Sequence, residues 1–267
     1  MSGTLNEVTV LVTGASRGLG RAMAVGLLEA GARVALASTG PGKPLEKTLE
    51  LCAAVAPHSR FTVLHGDLRR ADDAEAIAAQ AEATLGPVDV LVNNAAIPNQ
   101  GENEPFWRID PQDWLRISHT NTDAVFFMSR AVGARMVARG RGKIINVGTS
   151  DRTMVRGRFT PYGPSKAFVE ACTLAWSQEL VGTGVTINVL SPGGAIDTAA
   201  DVSGVASPGK NFLPATVMVA PLLWLASAAS DEVNGQRFFA NLWNEALPLA
   251  ERIAAARQSG GELPRIM

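Results

Sequence analysis

An α/β fold with a doubly wound parallel sheet is what this chain of 267 residues predicts, and three observations predict it. Short β-branched or apolar runs alternate along the chain with longer segments of helical period. The strand runs are nearly all apolar, as they are in a sheet covered by helices on both faces. The punctuation between them is mostly Gly, Pro, Asn and Asp.

Taken in order, the first strand is Val8 to Val12, and a glycine-rich turn leads from it into a helix over about 18–30. Arg33 to Ala37 and a helix over about 44–55 follow, then Phe61 to Leu64 and a helix over about 71–85. Val88 to Val92 precedes a long helix over about 110–137, whose start is marked chemically. Asp110 is the N-cap, Pro111 the first helical residue, and Asp113 places negative charge at the positive end of the dipole. Lys143 to Val147, a helix over about 162–181, Val185 to Leu190, a helix over about 215–229 and Arg237 to Ala240 complete seven strands. RGRGK, TGPGK and GTG read as turns, and ALPLAERIAAARQ as one further short helix in the tail.

With 46% hydrophobic and 18% charged residues the composition is that of a soluble globular chain, and the length fits one α/β domain over 1–267. A formal net charge of -1 excludes the basic excess that a nucleic-acid surface needs. Cys52 and Cys172 lack any metal-ligand spacing and read as reduced packing residues, and His58, His65 and His119 are too scattered for a zinc site, so no metal is expected. Residues 211–230 carry no charge, but Pro214, Pro221, Asn211 and Thr216 break the run well short of the ~20 apolar residues of a membrane span. No basic segment followed by an apolar core opens the sequence, so the expected location is cytoplasmic.

The first strand runs into Thr13-Gly14-Ala15-Ser16-Arg17-Gly18-Leu19-Gly20. Glycines at a strand-to-helix turn let the chain bend sharply and let backbone N–H groups approach a pyrophosphate at the positive end of a helix. An acid at the end of the second strand would bond the ribose hydroxyls of NAD. Here Ser38 and Thr39 stand instead, able to donate to a 2'-phosphate, with Arg17 adding positive charge unless it is only a solvated surface side chain. NADP(H) is therefore favoured, with NAD(H) as the alternative.

Tyr162-Gly163-Pro164-Ser165-Lys166 opens a helix, and the i, i+4 spacing puts phenol and ammonium on one face. An ammonium about 4 Å away at an effective dielectric of about 20 stabilises a phenolate by up to roughly 4 kcal/mol, enough to bring a pKa near 10 toward about 7. There proton exchange with a carbonyl or alcohol oxygen is efficient. Tyr162 is the only tyrosine in the chain.

Together these motifs resemble the short-chain dehydrogenase/reductase family, in its single-domain branch, from about Val8 to Ala240. Five features carry the resemblance, in the family's order: TGASRGLG, Asp67 after the third strand, Asn93-Asn94-Ala95-Ala96 after the fourth, Tyr162 with Lys166, and Pro192-Gly193 followed by Ile196 and Thr198. The resemblance implies a Rossmann-type sheet in the order 3-2-1-4-5-6-7 with cofactor and substrate at the carboxyl ends of the strands. It implies that Asp67 and Leu68 flank the adenine, that Asn94, Ala95 and Ala96 run along the ribose, and that Ile196 and Thr198 hold the nicotinamide carboxamide. Asn121 matches an asparagine that holds a water linking the lysine to solvent, although simple helix polarity also explains it.

The family's serine stands 13 residues before the tyrosine, and that position holds Thr149, with Ser150 next to it. A threonine hydroxyl can make the same bond, though its methyl restricts the rotamer, and Thr149 is favoured over Ser150. In the implied reaction Tyr162 protonates a carbonyl oxygen held by Thr149, Lys166 keeps the phenol acidic and bonds the nicotinamide ribose, and the reverse direction oxidises a secondary alcohol. The competing readings are a sugar epimerase or dehydratase of the extended branch, against which the spacing of Gly14, Gly18 and Gly20 and the chain length stand, and a catalytically lapsed regulator. Thr149 favours the lapsed regulator; Tyr162, Lys166 and Asn121 oppose it.

Substrate contacts are expected from Ile97 to Asn99, Met154 to Phe159, Gly193 to Ala195 and Ala199 to Leu213, the last either a lid carrying Val202, Val205, Phe212 and Leu213 or a surface loop. Arg152, Arg156 and Arg158 read better as a solvated cationic turn than as an anion site. The family's Asp-Gly-Gly turn is absent after the last strand, where Asn241-Leu242-Trp243-Asn244 leads into an extension over 245–267. Trp243 and the tail helix are expected at a subunit contact or against the substrate pocket. Relatives assemble as dimers or tetramers through the two long helices on either side of the fifth strand, so a homo-oligomer is expected, with Phe126, Phe127 and Met128 as candidates for its face.

Overall fold

A computed structural model of the protein describes residues 5–99, 104–196 and 212–258. Among them seven strands form one parallel sheet in the order β3-β2-β1-β4-β5-β6-β7. The strands are β1 (Thr9–Thr13), β2 (Arg33–Ser38), β3 (Phe61–His65), β4 (Val90–Asn93), β5 (Gly142–Val147), β6 (Val185–Ser191) and β7 (Arg237–Phe239). The helices are α1 (Gly18–Glu29), α2 (Lys43–Val55), α3 (Ala71–Leu85), α4 (Pro111–Asn121), α5 (Asp123–Arg139), α6 (Asp151–Met154), α7 (Tyr162–Glu179), α8 (Val219–Ala226) and α9 (Leu249–Ala256). Alternation along each strand divides the core. Val10 and Val12 face a layer with Met23, Leu27, Leu222 and Trp224, whereas Leu11 faces Ile77, Met128 and Met136. No helix among the described residues is long and apolar enough to cross a membrane.

The expected helix over 110–137 is two helices. Its start is as expected, with Asp110 Oδ1 accepting from Gln112 N at 2.8 Å. It breaks at Thr122, whose hydroxyl donates back to Ser118 O at 2.8 Å while its N–H bonds the same carbonyl; such back-bonding bends a helix. The expected helix over 215–229 is also shorter. Pro221 is tolerated only in a first turn, which fixes the start of α8, and Ser227 Oγ bonds Trp224 O at 2.8 Å where the chain leaves it. Helix α6 was not expected.

Of the three residues proposed for an oligomer face, Met128 is fully buried and belongs to the core, because α5 turns that side to the sheet. Phe126 is exposed and lines a groove of about 240 Å³ with Gly133, Val137, Trp176 and Leu180. Trp243 packs within the chain, its ring 5.3 Å from that of Trp224. Beyond α9 the chain returns to the free edge of β7, where Arg257 bridges Phe238 antiparallel and Gln258 N donates to Arg237 O at 2.9 Å.

Candidate active site

The strand order reverses between β1 and β4, and the loops leaving these strands diverge there, as at the ligand crevice of any doubly wound sheet. Thr13 ties the two loops together: its hydroxyl accepts from the N–H groups of Asn94 and Ala95, both at 3.0 Å. Asn94 Nδ2 donates in return to Thr13 O at 2.9 Å and Gly14 O at 3.1 Å. A side chain on Gly14 (φ +64°) would place its Cβ 2.8 Å from Ala95 Cα, and one on Gly20 would sit 2.3 Å from Gly14 O. These glycines are thus required by the packing of the turn itself.

Helix α1 starts at Gly18 (φ 54°) with no side-chain cap from Arg17 and no acid in its first turn. Uncapped N–H groups at Gly18, Leu19 and Gly20 beside Ser16 are the donor set a diphosphate needs. Arg17 is exposed. Ser38 is half-buried, its hydroxyl donating to Gly40 O at 3.1 Å, and Thr39 is exposed. Asp67 is gripped by Arg69, with Nε 2.8 Å and Nη2 2.6 Å from its oxygens, which holds its carboxyl below the usual range. Leu68 is buried beside it, and Ala95 and Ala96 are half-buried in the β4 loop.

Tyr162 opens α7 with its backbone N–H on Asn99 Oδ1 at 3.3 Å, while Asn99 Nδ2 reaches Thr160 O at 3.2 Å. Asn99 therefore braces the turn that delivers the phenol. The side chain of Thr149 lies beside that phenol and opposes its upward shift. Ser150 is committed elsewhere: it caps α6, accepting from Thr153 N at 3.2 Å.

The expected lowering of the Tyr162 pKa by Lys166 is absent. Burial pushes the phenol up, opposed only by the neighbouring Thr149 side chain, while the ammonium is turned to Val147 O at 2.9 Å. Lys166 is itself buried, which brings it down to about 8, with the Glu170 carboxylate opposing that fall. Asn121 ends α4, fully buried. Its Oδ1 accepts from Ile97 N at 2.8 Å, and its Nδ2 donates to Ile97 O and to Ser165 Oγ, both at 3.0 Å. It thereby locks the β4 loop to the first turn of α7.

Sequence reasoning missed two charged residues behind this group. Glu170, one turn after Lys166, is buried and pushed up to about 7 by desolvation. Arg237 on β7 meets it with Nε 3.2 Å from Oε1, and its Nη2 donates to the carbonyl oxygen of Thr149. The only local signal was a charged residue opening a short apolar strand.

After β6, Pro192 is buried and Gly193 adopts φ +81°, where a Cβ would strike Asn241 Oδ1. Asn241, in the turn that departs from the Asp-Gly-Gly pattern, donates its N–H to Pro192 O at 3.2 Å. Ile196 bridges Leu213, and Leu213 N donates to Ala195 O at 2.8 Å, so the last residue of the expected lid pairs with the segment that precedes it. Thr198, Val202 and Val205 lie outside the described residues. A cavity of about 740 Å³ opens between Ala195 and the α6 region, lined by Ser150, Arg152, Thr153, Val155 and Arg156. Arg156 stacks 4.5 Å over the Phe159 ring. Arg158 does not line it.

The short chain dehydrogenase family model matches residues 8–206. Gluconate 5-dehydrogenase of Gluconobacter oxydans is 32% identical over 87% of this chain and 93% of its own. Galactitol 2-dehydrogenase (L-tagatose-forming) of Cereibacter sphaeroides is 36% identical over 71% of this chain and 72% of its own. The crystal structure of a putative gluconate dehydrogenase from Agrobacterium tumefaciens superposes with a TM-score of 0.76 at 31% identity, covering 88% of this chain and 94% of that one.

Proposed function

The chain belongs to the short-chain dehydrogenase/reductase family of oxidoreductases, and we propose that it is an NADP(H)-dependent member that interconverts a carbonyl and a secondary alcohol. The observation that carries this reading is the phenol of Tyr162 beside Thr149 in the loop after β5, with Lys166 buried one turn further along α7.

Gly14, Ser16, Gly18, Leu19 and Gly20 would hold the diphosphate, Ser38, Thr39 and Arg17 the 2'-phosphate, and Asp67 and Leu68 the adenine. Asn94, Ala95, Ala96 and Lys166 would line the ribose, and Pro192, Gly193, Ile196 and Thr198 the nicotinamide. That cofactor supplies or accepts the hydride. Thr149 orients the substrate oxygen and Tyr162 gives it a proton in reduction or removes one in oxidation. Lys166, its ammonium turned to the Val147 carbonyl, would bond the nicotinamide ribose, and Asn121 holds the loop and helix that carry Tyr162 and Lys166.

For substrate class we favour an anionic polyhydroxy acid or its keto form. Arg152 and Arg156 in the cavity wall support it, since neither guanidinium has an acidic partner among the described residues, and a carboxylate is the natural ligand of such a fork. Two of the three relatives named above are gluconate enzymes by name, which points the same way; the galactitol enzyme points to a neutral alcohol. A homo-oligomer assembled over the apolar groove at Phe126, Val137 and Trp176 completes the reading, with sedimentation giving its mass.

The test is absorbance of NADPH and NADH with paired substrates, sugar acids against matching neutral polyols and their keto forms, beside simple ketones, diones and quinones. Turnover of the acid with NADPH, weakened in Arg152→Ala and Arg156→Ala through KM, is the expected outcome. Faster turnover of the neutral partner would overturn the anion reading alone. No turnover of any pair by either cofactor would overturn the enzyme reading.

A further inference from the structure

Four charged side chains adjoin the candidate site from three elements: Lys166 and Glu170 on α7, Arg237 on β7 and Asp151 at the start of α6. Lys166 is 3% exposed and Glu170 5%. Glu170 Oε1 stands 3.2 Å from Arg237 Nε. The other guanidinium nitrogens go to Asp151 Oδ1, to Gln258 Oε1 at 2.7 Å and to the Thr149 carbonyl oxygen, with the group 4.7 Å over the Phe239 ring.

Room for this cluster is made by Gly148 at the end of β5. A Cβ there would lie 3.0 Å from Glu170 Oε1 and 2.6 Å from Val189 Cγ1, so a larger residue would displace the carboxylate. Burying paired charges is seldom cheaper than filling the same space with apolar side chains, because each ion loses its hydration. Glu170 and Arg237 also meet imperfectly, with Oε1 and Nε close but poorly aligned for a hydrogen bond. Stability alone is a poor account of the pair, since Arg237 bonds the Thr149 carbonyl and the Glu170 charge acts on Lys166.

We propose that Arg237 and Glu170 form a positioning pair for the reaction: Arg237 fixes the Thr149 peptide so that its hydroxyl meets the Tyr162 phenol, Glu170 holds negative charge against the Lys166 ammonium, and the segment after α9 locks Arg237 through Gln258. A held carbonyl fixes the peptide plane at 149 and with it the direction in which the side chain leaves the backbone. Displacements of ~1 Å at such a group cost about a hundredfold in rate. The charges facing Glu170 are Lys166 from its own helix, Arg237 from β7 and Asp151 from α6. Of these Arg237 and Lys166 favour its ionised form. The ionised form in turn supports the ammonium.

The pair rests on the hydride-transfer reading, and its test separates the two. Because Tyr162 is the only tyrosine, one ¹³Cζ resonance in labelled protein reports its ionisation and hydrogen bonding without turnover. Arg237→Gln should lower kcat at least ~10-fold while the dissociation constant for NADPH stays within ~3-fold, and should move the tyrosine titration upward as Thr149 is displaced from the phenol. Glu170→Gln should shift the alkaline limb of the kcat profile to lower pH, since Lys166 then loses its proton sooner. Gln258→Ala should move kcat and the resonance in the direction of Arg237→Gln by less, and the Arg237→Gln, Glu170→Gln double variant should cost no more than its worse single.

A folded Arg237→Gln with the parent's kcat and tyrosine signal overturns the proposal. Should that variant not fold, an unchanged pH profile in Glu170→Gln together with an unchanged resonance in Gln258→Ala overturns it. If the parent turns over no substrate, hydride transfer fails, and the tyrosine signal alone decides whether Arg237 sets the Thr149 contact.

Discussion

Lys166 directs its ammonium at the carbonyl oxygen of Val147, 2.9 Å away, while Tyr162, four residues earlier on the same helix, has the side chain of Thr149 beside its phenol. The chemistry of the two is therefore set by different neighbours. Burial and Thr149 govern the phenol; burial, the end of β5 and Glu170 govern the ammonium. Substitutions should separate them.

Tyr162→Phe should leave NADPH affinity within a few-fold of the parent and lower kcat by at least about a hundredfold. Fluorescence titration gives the first and absorbance the second. Retained turnover would put proton transfer on another group.

Thr149→Val keeps the β-branch and removes only the hydroxyl, and should cost ~100-fold in kcat, whereas Thr149→Ser should stay within ~10-fold. Ser150→Ala should behave differently, losing about 1 kcal/mol of stability with the α6 cap and little rate. If Ser150→Ala proves the slower enzyme, the hydroxyl roles are exchanged.

Stability should dip between about pH 7 and 8. Glu170 holds its proton up to about 7 in the folded chain against an ordinary 4.5, so folding loses stability as pH rises through that interval. Lys166 is brought down from 10.5 to about 8, so stability returns above about 8. The carboxyl contribution amounts to ~3 kcal/mol at most. Melting temperatures of Glu170→Gln should fall less between pH 5 and pH 7 than those of the parent; parallel curves would remove Glu170 as the cause.

Arg17→Ala should weaken NADPH at least several-fold and leave NADH little changed, because only the former carries a 2'-phosphate. Ser38→Asp should reverse the preference by repelling that phosphate and accepting from a ribose hydroxyl. Equal effects on both cofactors would show that neither residue reads the 2' position.

The strands were legible to within two residues because runs such as Val8 to Val12 and Lys143 to Val147 are buried on both faces and carry that burial in their composition. The start of α4 was legible because Asp110 and Pro111 act locally. The break after Asn121 was not, since a single back-bonding threonine leaves the helical period of its neighbours intact. Thr149, Tyr162 and Lys166 could be found because spacing along one chain carries them. Arg237 and Glu170 could not, because a contact between β7 and α7 has no signature in either segment, and the direction of the Lys166 ammonium depends on a carbonyl at the end of another strand.

The bridge between Phe238 and Arg257 has a bearing on how the protein is made. β7 is the last rung of the sheet, and its outer N–H and C=O groups would otherwise template pairing with a neighbouring molecule. A nascent or clipped polypeptide stopping before Arg257 would present that bare rim, so premature termination should favour clumping as well as poor activity, and C-terminal tags should be attached by a spacer long enough to leave the rim sealed.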